Sequence, residues 1–415
     1  MLTNRIQEQR KKIFNFEFIL TIVFLFTLFY TIDGFVYGKF LLILLMSLVF
    51  LVKNKELKFD RSIFIFYLFL ILVGASGIYG ERNEFIIGNM ITLFACFMLL
   101  IIIPLIVNNE ERLEIFISFT IYFGFFLSLY VISLTDIERL LQGRYYASLV
   151  LFEKIGNRNS VAILIGIAFN FGIYKILYRH RYAYIPLISF MLMAVLLTGS
   201  RKGLLLCVIP LFINLALISL KSNIRRKILY TTLFIILTIS LHFIIFKVDF
   251  LYQNIGWRIE SIYSEIILNE SSEESSFNVR QEMIQYGFEY FKEKPFFGYG
   301  IENYRYLYGV DSGFETYSHN NYIEILVNNG LIGFILYYSF FIIVIIKANI
   351  KRRASTIVAE KNFYTFIITI LMCLLIMDVA VISYKWFPYY ILLALALKGS
   401  WNKENINRSI LNENN

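Results

Sequence analysis

Twelve apolar runs, most of them long enough to cross a lipid bilayer, set the terms for this 415-residue chain. They cover roughly 13–31, 35–52, 62–79, 86–107, 113–134, 159–178, 183–198, 202–220, 227–246, 320–346, 362–384 and 386–398. Apolar runs of about 18 residues or more read as transmembrane helices. Backbone in lipid must satisfy its own hydrogen bonds, and for isolated runs of this kind that means helix. One such run could sit in a soluble core; twelve in series could not. Hydrophobic residues make up 58% of the chain, above the roughly 45–50% of soluble domains. The expectation is an all-α integral membrane protein of about 12 transmembrane helices. The last run is short, so eleven crossings is the alternative.

The net charge of +9 raises a nucleic-acid reading, and the placement of the charge removes it. With the N-terminus inside, the alternate connections that face the cytoplasm hold 24 of the 39 Lys and Arg. Among them are Arg10, Lys11 and Lys12, then Lys53, Lys55, Lys58 and Arg61, then Arg225, Arg226 and Lys227, and finally Lys351, Arg352 and Arg353. This is the positive-inside pattern that orients membrane proteins. Both termini then fall in the cytoplasm. No basic stripe with interleaved aromatics remains for nucleic acid. Cys96, Cys207 and Cys373 fall inside apolar runs and read as small fillers. The N-terminus has basic residues but no small-residue cleavage site, so it reads as the start of the first helix rather than a removed signal peptide. Abundant Ile, Phe, Tyr, Asn and Lys with scarce Ala and Pro suggest AT-rich coding and a low-GC bacterium.

Most connections are short. Two are long, at about 135–158 and 247–319, and both fall on the outer side. The chain therefore divides into a membrane part at 1–246, an extracytoplasmic loop at 247–319, and a membrane part with a cytoplasmic tail at 320–415. Within the long loop, Asn269 to Ser276 is polar and of low complexity, and reads as solvated chain. It lacks a spaced metal-ligand pattern. From Asn278 to Lys294, Val279, Met283, Tyr286 and Tyr290 recur at helical spacing. That is an amphipathic helix, lying on the outer membrane surface or capping the bundle. Pro295 ends it, and Gly298-Tyr299-Gly300 makes a tight turn.

Three outward groups could carry chemistry. Arg201 and Lys202 lie in a short outer connection, where positive charge is disfavoured. An arginine there can grip a phosphate beside helix N-terminal amides, or simply anchor a helix end. Arg280 falls in the first turn of the amphipathic helix, opposed by the helix dipole unless an anion is near. His319 opens a helix at the water-facing edge; His180 and His242 read as an inner anchor and a helix-core residue. Histidine is the side chain best suited to accept a proton near neutral pH. Two guanidiniums and one imidazole, with no obvious nucleophile, suit transfer from a diphosphate leaving group to a hydroxyl. Asp378, in the outer half of a late helix, is a further candidate, because acids within membrane helices are commonly functional.

Four segments then resemble one family. Arg280 to Met283, with Lys294-Pro295-Phe296-Phe297-Gly298-Tyr299-Gly300-Ile301-Glu302-Asn303-Tyr304, is similar to the hallmark stretch of the O-antigen ligase and Wzy-type polysaccharide polymerase superfamily. Ser318-His319-Asn320-Asn321-Tyr322 with Gly330-Leu331-Ile332-Gly333 resembles its second hallmark. Gly199-Ser200-Arg201-Lys202-Gly203 resembles its arginine turn, and Gly156-Asn157-Arg158-Asn159-Ser160 the element opening an earlier helix. Ile284, Lys294 and Asn328 depart from the residues common at those places, which bears on substrate detail. The resemblance implies a GT-C-like fold and a metal-independent glycosyltransferase without cofactor. It further implies that Arg201 and Arg280 bind the diphosphate and that His319 is the base or acceptor positioner. Lys202, Asn320, Arg158, Asn159 and Arg305 are the accompanying substrate-binding candidates.

The leading expectation is a polymerase of a capsular or O-antigen-like surface polysaccharide in the bacterial cell membrane. Its site would face outward, and its donor and acceptor would be oligosaccharides linked to undecaprenyl diphosphate. A chain-length regulator and a flippase are the protein partners such a reaction implies. The alternatives are a ligase that moves finished glycan to another acceptor, and a lipid-linked oligosaccharide flippase. The flippase predicts internal repeats and charges inside the bundle, and neither pattern is visible.

Overall fold

The computed structural model describes residues 15–30, 36–53, 60–82, 84–135, 156–268 and 275–399. Most of the connection expected at 135–158, residues 269–274 of the polar stretch and the tail from 400 onward lie outside them. Among the described residues there are helices and turns and no strand.

A helix lies at each of the twelve expected segments. They are α1 Phe16–Tyr30, α2 Val36–Lys53, α3 Ile63–Tyr79, α4 Ile86–Ile106, α5 Glu110–Ser133, α6 Arg158–Arg179, α7 Ile185–Leu197, α8 Arg201–Lys221 and α9 Ile224–Lys247. After α9 come α10 Trp257–Leu268, α11 Ser275–Glu293 and α12 Asn303–Ser312, then α13 Asn321–Ala354, α14 Val358–Met377 and α15 Phe387–Leu397. Seven of these are long and apolar enough to cross a membrane; five shorter apolar helices accompany them. Large apolar side chains such as Leu41, Val52, Ile78 and Ile87 are exposed along the helices. In water such a surface would drive association; in lipid it is the solvent-facing side. The chain is a multi-pass membrane protein.

Helix α6 is the centre of the bundle. Every residue from Val161 to Lys175 is buried, and the helix packs against α5, α7, α8 and α14. Its crossing with α8 is set by Gly203, where an added Cβ would stand 2.5 Å from the Ala162 Cβ. Asn170 donates to the Leu206 carbonyl at 2.7 Å and pins the same crossing. At the edge of the bundle, α9 packs on α8 and the turn that follows it, and Ile245 is its one buried residue.

Side-chain contacts sort the helix ends into two sets. At one end the turn after α3 meets the stretch from 294 to 303, through Lys294–Glu81 at 2.7 Å and the Arg82 N–H to Asn303 Oδ1 at 2.9 Å. At the opposite end Arg179 pairs with Glu110 at 2.5 Å and Glu114 at 2.8 Å, and Lys347 pairs with Asp60. Helices α5 and α6, and likewise α3 and α13, therefore run in opposite directions.

The amphipathic helix is α11, and it caps the bundle. Met283 and Tyr290 are buried in a cluster with Tyr299, Tyr304, Tyr308, Ile323 and Val327. Each such apolar body contributes roughly 1.5–3 kcal/mol when removed from water. The buried hydroxyls are satisfied: Tyr304 donates to the Met283 carbonyl at 2.7 Å and Tyr290 to Asp311 at 2.5 Å. Val279, expected on the same face, is 41% exposed. Gly287 permits the approach, because a Cβ there would meet Ile323 at 2.2 Å.

One break was invisible to hydropathy. Helix α13 is interrupted at Gly330, with φ 64° and ψ −170°. Residues 295–300 fill the gap. Tyr299 and Gly300 donate their N–H groups to the carbonyls of Val327 and Asn328, at 2.9 and 2.8 Å. Leu331 and Ile332 donate to the carbonyls of Pro295 and Phe296, at 2.8 and 3.2 Å. Backbone groups released by the break are thus paired within the protein, the condition for irregular chain at the membrane. Two differences concern helix ends. The segment expected to run to 384 stops at Met377, and 378–386 forms a turn instead. The one expected to end at 346 continues to Ala354.

Candidate functional site

The α6–α8 crossing brings two helix N-termini together. Asn157 caps α6, accepting the Asn159 N–H at 2.8 Å. Ser200 caps α8, accepting from Gly203 N–H at 3.3 Å. The Ser200 hydroxyl donates to Asn159 Oδ1 at 2.8 Å, joining the two. Asn159, expected to bind substrate, is therefore in part a clamp between helices. Arg158 leads α6, and Arg201 and Lys202 lead α8. Arg280, Arg201 and Arg158 are all close enough to act electrostatically on Lys202. Four basic side chains, gathered from three helices, share one corner of the protein. Such a corner at two helix N-termini favours a multivalent anion.

His319 completes the corner. It sits two residues before α13 with φ 57°, a left-handed conformation uncommon outside glycine. Its ring lies 4.3 Å from the Tyr317 ring, centroid to centroid. Burial, reinforced by Lys202 and then Arg280, lowers its pKa to about 4, so the imidazole is neutral at pH 7. Around it the backbone is held firmly. Glu324 Oε2 accepts the Ser318 N–H at 2.9 Å, and the Ser318 hydroxyl donates to the Asn320 carbonyl at 2.8 Å.

Four further candidates have more specific places than the sequence indicates. Arg280 is the sixth residue of α11, because the helix begins at Ser275. The dipole argument for a first-turn cation therefore does not hold; the residue is placed by the fold toward Lys202 and His319. Asn320 is the N-cap of α13, its Oδ1 accepting from Tyr322 at 3.0 Å and Ile323 at 3.2 Å. Arg305 lies 3.8 Å from Glu315 and over the Phe85 ring at 5.6 Å, and reaches this corner through its effect on Glu324. Asp378 caps α14 and binds Asn321 and Tyr338, so it supports the His319 segment from behind.

Several residues at the site carried no signal in the sequence. Arg201 donates to the Arg258 carbonyl at 3.3 Å, which seats α10 over the start of α8. A cavity of about 420 Å³ opens beside Lys202, lined also by Asn157, Asn159, Tyr317 and Glu324. Its far wall holds Asn89, Glu302, Lys385 and Trp386. Lys385 pairs with Glu302 and donates to Asn89 at 3.1 Å. Glu302 shares the left-handed backbone of His319, at φ 63°. Two of the three non-glycine residues with positive φ among the described residues are thus at this site, a clustering typical of functional positions. The sole hint available was the position of Glu302 inside a motif.

No curated protein matches the chain. A family model described as O-Antigen ligase matches residues 186–338, from within α7 to within α13. Arg201, Lys202, Arg280, His319 and the Gly298–Gly330 contact all fall inside that stretch, and over it the chain is similar to the O-antigen ligase family, which supports a place in the O-antigen ligase and Wzy-type polysaccharide polymerase superfamily.

Proposed function

We propose that this protein is a surface-polysaccharide polymerase that crosses the membrane with about twelve helices and works on its outer face. It transfers a growing glycan from undecaprenyl diphosphate to a sugar hydroxyl of a second lipid-linked repeat unit. The observation that carries the reading is the position of a neutral imidazole, His319, within electrostatic reach of Lys202 and Arg280. A base that must not be protonated and a set of cations for a departing anion are the two parts this transfer needs.

The acceptor oxygen attacks the anomeric carbon of the donor sugar as the bond from that carbon to the diphosphate oxygen breaks. The bonding pair leaves with undecaprenyl diphosphate, whose charge is met by Arg158, Arg201, Lys202 and Arg280. The hydroxyl proton passes to His319. One displacement of this kind inverts the anomeric centre. Binding of the anionic diphosphate offsets the cations that hold His319 neutral, so its basicity rises once substrate is present.

The test is elongation by the purified protein in liposomes, supplied with lipid-linked repeat unit and no ion gradient. Polymer that lengthens with time supports the reading; its absence with intact substrate overturns it. The O-antigen ligase family that the central stretch matches favours a ligase as the second reading. A knockout decides between them: an accumulating single lipid-linked repeat marks a polymerase, and full-length unligated polymer marks a ligase.

A further inference from the structure

We infer that the cavity between Lys202 and the Glu302–Lys385 pair is the acceptor-sugar subsite, a pocket for a polyhydroxylated ring rather than for the diphosphate. The inference rests on the glycan-transfer reading and assigns the second substrate of that site.

Its volume, about 420 Å³, is that of a small-molecule site. The charges around it are unevenly placed. Cations stand on the α6–α8 side, where Lys202 reaches the cavity. The far wall carries Glu302 paired with Lys385 and the amide of Asn89, and Glu324 and the Asn159 amide line the cavity as well. A diphosphate pushed to that wall would meet a lysine whose charge Glu302 already balances. A neutral ring of hydroxyls would meet acceptors in the carboxylates and both donors and acceptors in the amides. Trp386 and Tyr317 add flat apolar faces, which suit the C–H face of a sugar.

The far wall is assembled from three separate parts of the chain. Asn89 comes from the start of α4, Glu302 from the turn before α12, and Lys385 and Trp386 from the turn between α14 and α15. A partly buried ion pair is a weak source of stability, and an apolar pair would pack as well. Its place on a cavity wall, with Glu302 in a strained conformation, fits recognition better than packing. Tyr317 joins the two substrates' regions, since its ring lines the cavity and lies against His319.

The experiment uses the full-length protein in lipid nanodiscs and two probes. One is the free repeat-unit oligosaccharide, released by mild acid from lipid-linked material that accumulates in cells lacking the gene. The other is undecaprenyl diphosphate without sugar. Trp386→Ala and Asn89→Ala are expected to weaken oligosaccharide binding about tenfold, the scale of one lost stacking contact. Undecaprenyl diphosphate binding should stay within about twofold in both. Trp386→Phe, which keeps an aromatic face and guards against misfolding, should retain most of the oligosaccharide affinity. Arg280→Ala should show the reverse selectivity. Oligosaccharide binding unchanged in Trp386→Ala and Asn89→Ala overturns the subsite. So does a parallel loss of both probes in folded variants. Binding of undecaprenyl diphosphate alone by the unaltered protein overturns the subsite and leaves the transfer reading standing; binding of neither probe removes both.

Discussion

Asn321 donates its backbone N–H to the Asp378 carbonyl at 2.7 Å and its side-chain amide to the Asp378 carboxylate at 3.2 Å. The Asn321 side-chain oxygen in turn accepts the N–H groups of Ser383 at 3.0 Å and Tyr384 at 3.1 Å. One asparagine thus fastens the turn bearing Lys385 and Trp386 to the segment bearing His319. Tyr338 donates to the same carboxylate at 3.0 Å. Asp378→Ala leaves buried donors without their acceptor, at about 1–3 kcal/mol each. The expected result is a lower melting temperature in detergent together with reduced polymer. An Asp378→Ala protein that melts like the parent would show that the clamp is not structural.

The reacting groups behave differently. His319→Ala removes the proposed base and is expected to slow elongation by about 10²–10⁴-fold. Arg280→Ala removes the charge stabilisation proposed for the leaving group and is expected to cost about 10²–10³-fold. Neither change should alter abundance in the membrane, because neither side chain belongs to the buried clusters that hold the bundle together. Quantitative blotting beside chain-length analysis checks both. Normal long chains from either variant would take that residue out of the site.

The bundle was legible in the sequence because lipid leaves the backbone so little choice. Each helix from α1 to α9 is announced by its own apolar run. The cationic corner was legible too, because Arg201 and Lys202 violate the charge bias of an outer connection. What was hidden is tertiary. Nothing local in Asn89, Glu302, Lys385 or Trp386 says that they meet, since they are drawn from one helix start and two turns far apart in the chain. The start of α11 was hidden for a different reason. Ser275 and Ser276 lack apolar periodicity, so the pattern became visible only at Asn278 and put Arg280 in the wrong turn. Asp378 drew notice as a membrane acid, but its two bonds to Asn321 depend on a chain reversal at Met377 that hydropathy ran straight through.

The pH dependence follows from His319. Its pKa in the folded protein is lowered from 6.5 to about 4 by burial, Lys202 and Arg280. Between these values the unfolded chain binds more protons than the native one, so stability falls as pH falls through that window. In the proposed transfer the neutral ring is the active form. The acid limb of kcat/KM due to His319 should therefore lie near pH 4, not 6.5. Lys202→Gln removes one of the two cations and should move that limb upward, toward 6.5, whatever it does to the maximum rate. A parent limb at 6.5, or one unmoved by Lys202→Gln, would contradict the electrostatic account. The limb of kcat should lie above that of kcat/KM, because bound diphosphate offsets the cations.

The last test concerns the insertion of 295–300 into the break in α13. Gly298 and Gly330 both have positive φ, at 68° and 64°. At Gly298 a Cβ would stand 2.4 Å from the Val327 carbonyl oxygen; at Gly330 it would stand 2.3 Å from the Phe296 carbonyl carbon. The obstacles are backbone, so neither can turn aside as a side chain would. Gly313 is the internal control. Its φ is 77°, yet nothing lies within 4 Å of the added carbon. Gly313→Ala should cost only the left-handed penalty of about 1–2 kcal/mol and leave elongation near normal. Gly298→Ala and Gly330→Ala carry that penalty plus the clash, and should lower folded yield and melting temperature well beyond it. The two sites share one interface, so the double variant should lose less than the two single losses added together. Melting curves of the four variants settle it: if Gly330→Ala is no worse than Gly313→Ala, the backbone contact across the break is not what holds the His319 segment in place.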